Sequence, residues 1–298
     1  MNVELVTTET EGGALLHGAL AKPESNGLNP LVSKERVIVL LLHGVGSNFY
    51  SDRLLSSLAE QIMGAGFDVL RANFRGHDLV NYTRVDNLAT RQGAAYESVS
   101  KGQDDILGWV NFLREEKGYS HLLLLGHSLG AVKSLLTLSS TSPKGVGGVI
   151  AVSPPLLSYT TYVDCPISAP RYQKTFGRAE EMIKKGRGDD LIEVKFPFRL
   201  LITAAGYVEK YGPAENYNLL QFIPKVKVPL LMVYGGAELA LGGAPFRNLP
   251  DKIDGTLRKE QKKDGLFDLQ IIAEADHFYH GKCKELGTLC LPWLKKHG

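Results

Sequence analysis

A serine lies between two glycines in the pentapeptide Gly126–Gly130, whose sequence is GHSLG. The apolar run His121–Leu125 precedes it, and the helix-compatible segment Ala131–Leu138 follows it. Strand, sharp turn and helix form the context in which Gly-x-Ser-x-Gly marks a nucleophile elbow, a turn that raises a serine hydroxyl above a sheet. Side chains at the two glycine positions would collide in such a turn. We therefore predict that Ser128 is a nucleophile.

Strands and helices alternate along the chain around this turn. Val37–Leu42 is a continuous apolar run, which fits a strand covered on both faces. An antiparallel hairpin is predicted from Val3–Thr7 and Ala14–Lys22, which alternate weakly around a glycine-containing turn. Further strands are predicted at Phe67–Asn73, His121–Leu125, Val149–Val152, Leu230–Tyr234 and Leu269–Ile272.

Helical spacing of apolar residues separates these strands. It is seen at Leu54–Ile62, at Ile106–Leu113 and in a final segment, Cys283–Leu294, which Pro292 interrupts. Strands joined by helical crossovers imply the α/β class, with a mostly parallel central sheet and helices on both faces.

A long connection breaks this alternation between the strands near Ser153 and Val228. A connection of this length needs structure of its own. We predict a cap of residues 154–225 over the carboxyl-terminal edge of the sheet, inserted into a core of residues 1–153 and 226–298. The segment is rich in tyrosine and phenylalanine, which favours pocket lining but also suits the packing of a small subdomain. A helix is expected at Arg178–Lys185.

Composition bounds the class of protein. The chain has 298 residues, of which 44% are hydrophobic and 22% charged, enough for one large core in a soluble globular protein. A net charge of +2 gives no argument for nucleic acid or a membrane surface, and no apolar run approaches the ~20 residues of a membrane helix. The cysteines Cys165, Cys283 and Cys290 lack metal-site spacing, and no secretory signal is visible, so we expect reduced thiols and a cytoplasmic protein.

The order of these features resembles the α/β-hydrolase superfamily. The matching parts are the hairpin, a strand ending in His43-Gly44, a strand leading into Asn73–His77, the elbow serine, the inserted cap, a late acid and a terminal histidine. The chain is similar to single-domain esterases, lipases and acyl hydrolases with a short cap. A looser similarity, through Arg75–Asp78 and Gly93–Glu97, is to hydrolases of siderophore esters. The resemblance implies a serine hydrolase that needs no metal or organic cofactor.

A serine hydroxyl needs a base within hydrogen-bonding reach. In the superfamily the histidine comes last, in the loop after the final strand, and His277 is the candidate nearest to that strand end. His280 follows closely, and a loop could present either ring. His43 and His127 are interpreted as structural residues, the first fixing its loop and the second packing beside the serine.

The histidine needs a carboxylate that holds its tautomer. The resemblance places this acid in the loop after Leu230–Tyr234, where Glu238 occupies a position that more often carries aspartate. The extra methylene of glutamate requires a different loop path. Asp276, next to the histidine, and Asp164, in the cap, are the alternatives.

The resemblance also implies an oxyanion hole built from backbone N–H groups. One belongs to Leu129, the residue after the nucleophile, and the second to Val45, or alternatively Gly46, in the glycine-rich loop after His43. A phosphate-binding role for this loop is disfavoured because it lacks both the following Lys-Ser/Thr and the G-x-G-x-x-G spacing.

These residues predict hydrolysis of a carboxylic ester of small to medium size through an acyl-enzyme on Ser128. Thioesterase, lactonase, amidase and acyltransferase activities use the same three groups and remain open, because the pocket selects the leaving group. A non-catalytic binding protein with the hydrolase fold is the third possibility. The sequence identifies neither the substrate nor the oligomeric state.

Overall fold

The computed structural model describes residues 3–23, 36–259 and 266–298, and this part of the chain contains twelve strands and nine α-helices. The strands are β1 (Val3–Glu9), β2 (Leu15–Ala21), β3 (Val37–Leu42), β4 (Asp68–Ala72), β5 (Asn81–Val85), β6 (Leu88–Gln92), β7 (His121–His127), β8 (Val146–Val152), β9 (Leu191–Val194), β10 (Leu200–Thr203), β11 (Leu230–Gly235) and β12 (Phe267–Ile272). The helices are α1 (Arg53–Gly64), α2 (Lys101–Asn111), α3 (Leu129–Ser140), α4 (Tyr159–Asp164), α5 (Ala169–Lys184), α6 (Ala204–Tyr211), α7 (Gly236–Leu241), α8 (Leu249–Lys259) and α9 (Cys283–His297).

Eight strands form the central sheet, in the order β1-β2-β4-β3-β7-β8-β11-β12. From β4 to β12 neighbouring strands run parallel, whereas β1 and β2 form an antiparallel hairpin that joins β4 at one edge. The predicted α/β class and mostly parallel sheet are confirmed. Because β3, β7, β8, β11 and β12 are parallel, the loops that follow them meet at one edge, where open α/β sheets bind their ligands.

Both faces of the sheet are covered, which explains the continuous apolar runs of the inner strands. In β3, Leu40 faces a core packed by α2 and α3, while Leu41 faces a second core packed by α1 and α9. Each of these side chains is 0% exposed. The period-2 alternation of a strand therefore supplies two different cores, and neither face tolerates a polar residue.

Two local features differ from the sequence-based expectations. Helix α9 runs through Pro292 without a break, because the lost hydrogen bond is offset by the buried apolar face that includes Leu286 and Leu294. The β5–β6 hairpin was not predicted. Its turn residues, Asp86 and Asn87, both adopt positive φ angles, which suits a tight hairpin turn, but without glycine the signal is weak.

Residues 154–225, which we call the inserted segment, contain α4, α5, the β9–β10 hairpin and α6. The predicted helix Arg178–Lys185 lies largely within the longer α5. Most of the aromatic side chains of the segment pack on one another; the ring of Tyr162, for example, lies 5.0 Å from Phe196 and 5.6 Å from Tyr172. Of the two interpretations of this aromatic content, the structure supports internal packing for the buried rings.

A buried cluster of charges joins the inserted segment to the sheet region. The carboxylate of Glu97 accepts hydrogen bonds from Lys133 of α3 at 2.5 Å and from Lys210 of α6 at 3.1 Å. The three side chains are only 2–3% exposed. The ammonium group of Lys133 also lies 3.8 Å from the ring centre of Phe74. Helix α6 of the inserted segment and helix α3 behind the serine thus share one carboxylate.

Candidate active site

Ser128 connects β7 to α3 through a strained turn. Its backbone has φ 54° and ψ −121°, a conformation that L-residues rarely adopt. Its amide donates a hydrogen bond to the carbonyl of Val152 at 2.8 Å, which ties the turn to β8. A methyl group on Gly126 would lie 2.6 Å from the Ala131 nitrogen, so the backbone of the turn leaves no room for a side chain there. The residues form the elbow that the motif predicts.

The imidazole of His277 bridges the serine and an acid. Its Nε2 lies 3.0 Å from the Ser128 Oγ, and its Nδ1 lies 2.5 Å from Oε1 of Glu238. A carboxylate can only accept, so Nδ1 carries a proton and Nε2 is free to accept one from the serine. The structure thus brings together the three side chains that the sequence analysis selected, although they come from positions 128, 238 and 277.

The rival residues lie elsewhere. His280 has an exposed side chain whose Nδ1 is 2.7 Å from Asp276 Oδ2. Asp276 also accepts hydrogen bonds from the amides of Phe278 and His280, so its carboxylate shapes the loop. Asp164 ends α4 as an exposed residue of the inserted segment.

Glu238 reaches the histidine from the first turn of α7, which starts directly after β11. The residue is 4% exposed. Its Oε2 accepts hydrogen bonds from the Ser153 hydroxyl at 2.6 Å and from the Gly235 amide at 3.2 Å. The helix start provides the different loop path that glutamate requires, because the side chain folds back toward the end of the strand.

His127 holds the loop that carries the catalytic candidate. Its Nε2–H donates to the backbone carbonyl of His277 at 2.8 Å, and the two rings lie 4.9 Å apart. Burial, helped by the neighbouring His277, lowers the pKa of His127 to about 4, so this ring is neutral at pH 7. The sequence placed His127 beside the serine but did not reveal this hydrogen bond, which spans 150 positions.

His43 organises the loop after β3. Its Nδ1–H donates to the carbonyl of Gly44 at 2.7 Å, and its Nε2 accepts from the amide of Phe74 at 3.2 Å. These two bonds require a neutral ring, and burial lowers the pKa of His43 to about 4. A methyl group on Gly44 would lie 3.0 Å from the Ser128 Cβ, so the loop passes directly beside the serine.

Val45 belongs to the same loop as Gly44, and Leu129 is the first residue of α3. Within the described part of the chain, no hydrogen bond from either amide to another protein atom is found. The Ser128 hydroxyl, the His277 imidazole and the Glu238 carboxylate form a line of contacts. In such a line the imidazole can take the proton of the hydroxyl, and the carboxylate stabilises the cation that results.

Residues 33–262 match a protein-family model described as serine aminopeptidase, S33. The chain belongs to this α/β-hydrolase family. Among curated proteins, the chain is 24% identical to human lipase member M over 211 residues. That alignment covers 67% of the chain and 46% of the lipase, so the chain spans about half of that relative's length.

Solved structures of other proteins share the fold of this chain. Est1E from Butyrivibrio proteoclasticus, solved with ferulic acid, superposes with a TM-score of 0.65 at 16% identity and 98% coverage of both chains. The α/β hydrolase GrgF from Penicillium sp. sh18 superposes with a TM-score of 0.69 at 15% identity, over 100% of this chain and 99% of its own.

No group of three or more His, Cys, Asp or Glu side chains is placed to hold a metal ion in residues 3–23, 36–259 and 266–298. Among the helices of this same part, none combines the length and the apolar character that crossing a lipid bilayer requires.

Proposed function

We propose that this protein hydrolyses a carboxylic ester of small to medium size through an acyl-enzyme on Ser128. The observation that carries the proposal is the line of contacts from Ser128 Oγ to His277 Nε2, at 3.0 Å, and from His277 Nδ1 to Glu238, at 2.5 Å. A hydroxyl on an elbow, aligned with a neutral base and a buried acid, is the arrangement that acyl transfer requires.

The reaction begins when Ser128 Oγ attacks the substrate carbonyl and His277 Nε2 takes its proton. Glu238 stabilises the imidazolium that forms. The amides of Val45 and Leu129 donate to the oxyanion of the tetrahedral intermediate, and each such donor commonly contributes ~3 kcal/mol to the transition state. His277 then protonates the leaving alcohol as its bond to carbon breaks. Water, deprotonated by the same histidine, then attacks the acyl-enzyme, and His277 returns that proton to the Ser128 oxygen as the bond between this oxygen and the acyl carbon breaks and the acid is released.

Residues 154–225 are proposed to form the cap of this enzyme, and residues 1–153 and 226–298 its catalytic core. Two features support this division. The inserted segment leaves the sheet at the end of β8, which lies at the edge that carries Ser128 and Glu238, and it returns to the opposite edge, where the parallel strand β11 begins. Its helix α6 is tied to the core through Lys210 and Glu97. A cap at this place limits the size of the acyl or alcohol group that reaches the serine.

An ester is favoured over an amide by the names of the relatives, which include a lipase and an enzyme solved with ferulic acid. The family description, which names aminopeptidases, makes an amide the second candidate. Both bonds would be cleaved by the same groups, so parallel assays with a short p-nitrophenyl ester and the matching anilide separate them.

The test compares the wild-type protein with Ser128→Ala. We expect the substitution to abolish ester hydrolysis and to prevent covalent labelling by a fluorophosphonate, because both need the serine oxygen. Hydrolysis by Ser128→Ala near the wild-type rate would overturn the proposal. An unlabelled and inactive wild-type protein would instead support a binding role.

A further inference from the structure

The carboxylate of Glu238 is held on both of its oxygens. Oε1 faces His277, while Oε2 accepts from the Ser153 hydroxyl at 2.6 Å and from the Gly235 amide at 3.2 Å. A carboxylate donates no proton, so the single hydroxyl proton of Ser153 must point at Glu238. The direction of this hydrogen bond is therefore fixed by its partner.

A second hydroxyl stands behind the first. The Tyr279 OH lies 3.0 Å from the Ser153 Oγ and 3.3 Å from the carbonyl of Val233. Since the proton of Ser153 is committed to Glu238, Ser153 can only accept from Tyr279, whose single hydroxyl proton is shared between the Ser153 Oγ and the more distant Val233 carbonyl. Ser153 and Tyr279 are both 0% exposed, so water cannot replace either bond without entering the core.

The two hydroxyls come from different parts of the fold. Ser153 follows β8 and adopts φ 50°, in the left-handed region, with its amide bonded to the carbonyl of Val233 at 2.8 Å. Tyr279 lies in the loop after β12, two positions beyond His277. The backbone of Ser153 is therefore strained, and in this conformation its hydroxyl points at Glu238.

Glutamate has one more rotatable bond than aspartate, so an acid of this type needs an additional point of attachment to keep one oxygen on His277. We infer that Ser153 is a positioning residue that holds the carboxylate of Glu238, and that Tyr279 orients Ser153. The inference rests on the proposed function, because Glu238 matters to the rate only if His277 is the base.

The Ser153→Ala variant tests this role. Without the hydroxyl, Oε2 keeps one weak backbone donor and the carboxylate rotates away from its bond to His277. We expect kcat for the p-nitrophenyl ester to fall about 10- to 100-fold, the range set by losing a hydrogen bond to a charged group. KM should stay unchanged because the Ser153 side chain is fully buried. The rate of fluorophosphonate labelling of Ser128 should fall by a similar factor.

Ser153→Gly is the matched control for the backbone. Glycine adopts positive φ without strain, yet it also lacks the hydroxyl, so we expect the same loss of kcat as in Ser153→Ala. Recovery of kcat in Ser153→Gly would show that backbone strain caused the loss in Ser153→Ala, and would overturn the inference.

Tyr279→Phe preserves the shape of the ring and removes only the hydroxyl, which faces Ser153 at 3.0 Å and the Val233 carbonyl at 3.3 Å. We expect a smaller fall in kcat, about 5-fold, again at constant KM. Because this variant keeps the packing of the core, it tests the inference even if Ser153→Ala does not fold. Wild-type kcat in Tyr279→Phe would show that Tyr279 does not orient Ser153.

Ser128→Ala, assayed alongside, separates the two proposals. Wild-type kcat in Ser153→Ala, together with an inactive Ser128→Ala, would overturn the inference about Ser153 and leave the proposed function standing. Activity in Ser128→Ala would overturn both.

Discussion

Glu238 and Glu97 are equally buried, at 4% exposure each, but they have different partners. Glu97 binds two ammonium groups, those of Lys133 and Lys210. Burial alone would raise the pKa of Glu97, but the two lysines together lower it to about 2. Glu238 binds one imidazole and two neutral donors.

A buried carboxylate that supports chemistry differs from one that supports the fold in the kind of group that it contacts. The partners of Glu97 are ammonium groups from α3 and α6, so its cluster ties these two helices together. The partner of Glu238 is an imidazole whose other nitrogen faces the hydroxyl of Ser128. Burial and pairing alone therefore do not mark a catalytic acid.

The largest expected effect is that of Glu238→Gln. An amide in place of the acid favours the wrong tautomer of His277 and cannot stabilise the imidazolium, so we expect kcat to fall by a factor of about 10³ to 10⁴. Steady-state kinetics with the p-nitrophenyl ester measure this loss. A fall in kcat of less than tenfold would show that Glu238 does not support the reaction, and the proposed difference between Glu238 and Glu97 would be wrong.

Glu97→Gln should show the opposite pattern. Two buried ammonium groups would lose their counter-charge, which commonly costs 3–5 kcal/mol, so we expect the free energy of unfolding to drop by about that amount. Urea denaturation measures it, and kcat per folded molecule should change far less than in Glu238→Gln. The control is Lys210→Met, which leaves a neutral pair of Glu97 with Lys133 and should cost less. Equal costs would contradict the assigned role of Glu97 as the shared anion.

Acid should lower the free energy of unfolding in two different pH ranges, one set by the buried histidines His43 and His127 near Ser128 and the other by Glu97. His43 and His127 have folded pKa values of about 4, below the value of 6.5 for an unperturbed histidine. The unfolded chain therefore takes up their protons first, and the free energy of unfolding falls as pH decreases from about 6.5 to about 4. Each histidine contributes up to about 1.4 kcal/mol per pH unit.

Glu97 affects the free energy of unfolding at lower pH than the two histidines do. Its folded pKa of about 2 lies below the ordinary value of 4.5, so the stability that it supplies above pH 4.5 is lost as pH falls toward 2. Urea titrations of the wild type and Glu97→Gln should run parallel from pH 6.5 to 4.5 and converge below pH 4.5. Convergence already at pH 6 would show that Glu97 is not held as an anion.

The smallest expected effect is that of His280→Ala. The side chain is exposed and pairs with Asp276 in the same loop as His277, so we expect kcat to change by less than about twofold. His277→Ala, measured in parallel, should lose nearly all activity. A large loss of kcat in His280→Ala would indicate that His280, and not His277, is the base. Glu238, the partner of His277, would then no longer differ in function from Glu97.

The parts that the sequence predicted well are those whose signals are local. Val37–Leu42 was expected as a strand and is one, and Gly126–Gly130 forms the expected turn. His277 and Glu238 were selected from their order along the chain, and the structure places them in contact. The hydrogen bonds of Ser153 and His127 carried no such signal, because they join residues 85 and 150 positions apart.

By itself, the sequence determined the order along the chain of the strands in the central sheet, the burial of both faces of that sheet and the identity of the serine turn, because periodicity and glycine sterics act over a few residues. Only the tertiary structure decided which histidine faces Ser128, how a glutamate reaches it, and that Lys133 and Lys210 share Glu97. The physical reason is that a buried charge or hydroxyl must find its partner in space, and for Lys210 and Glu97 that partner lies 113 positions away along the chain.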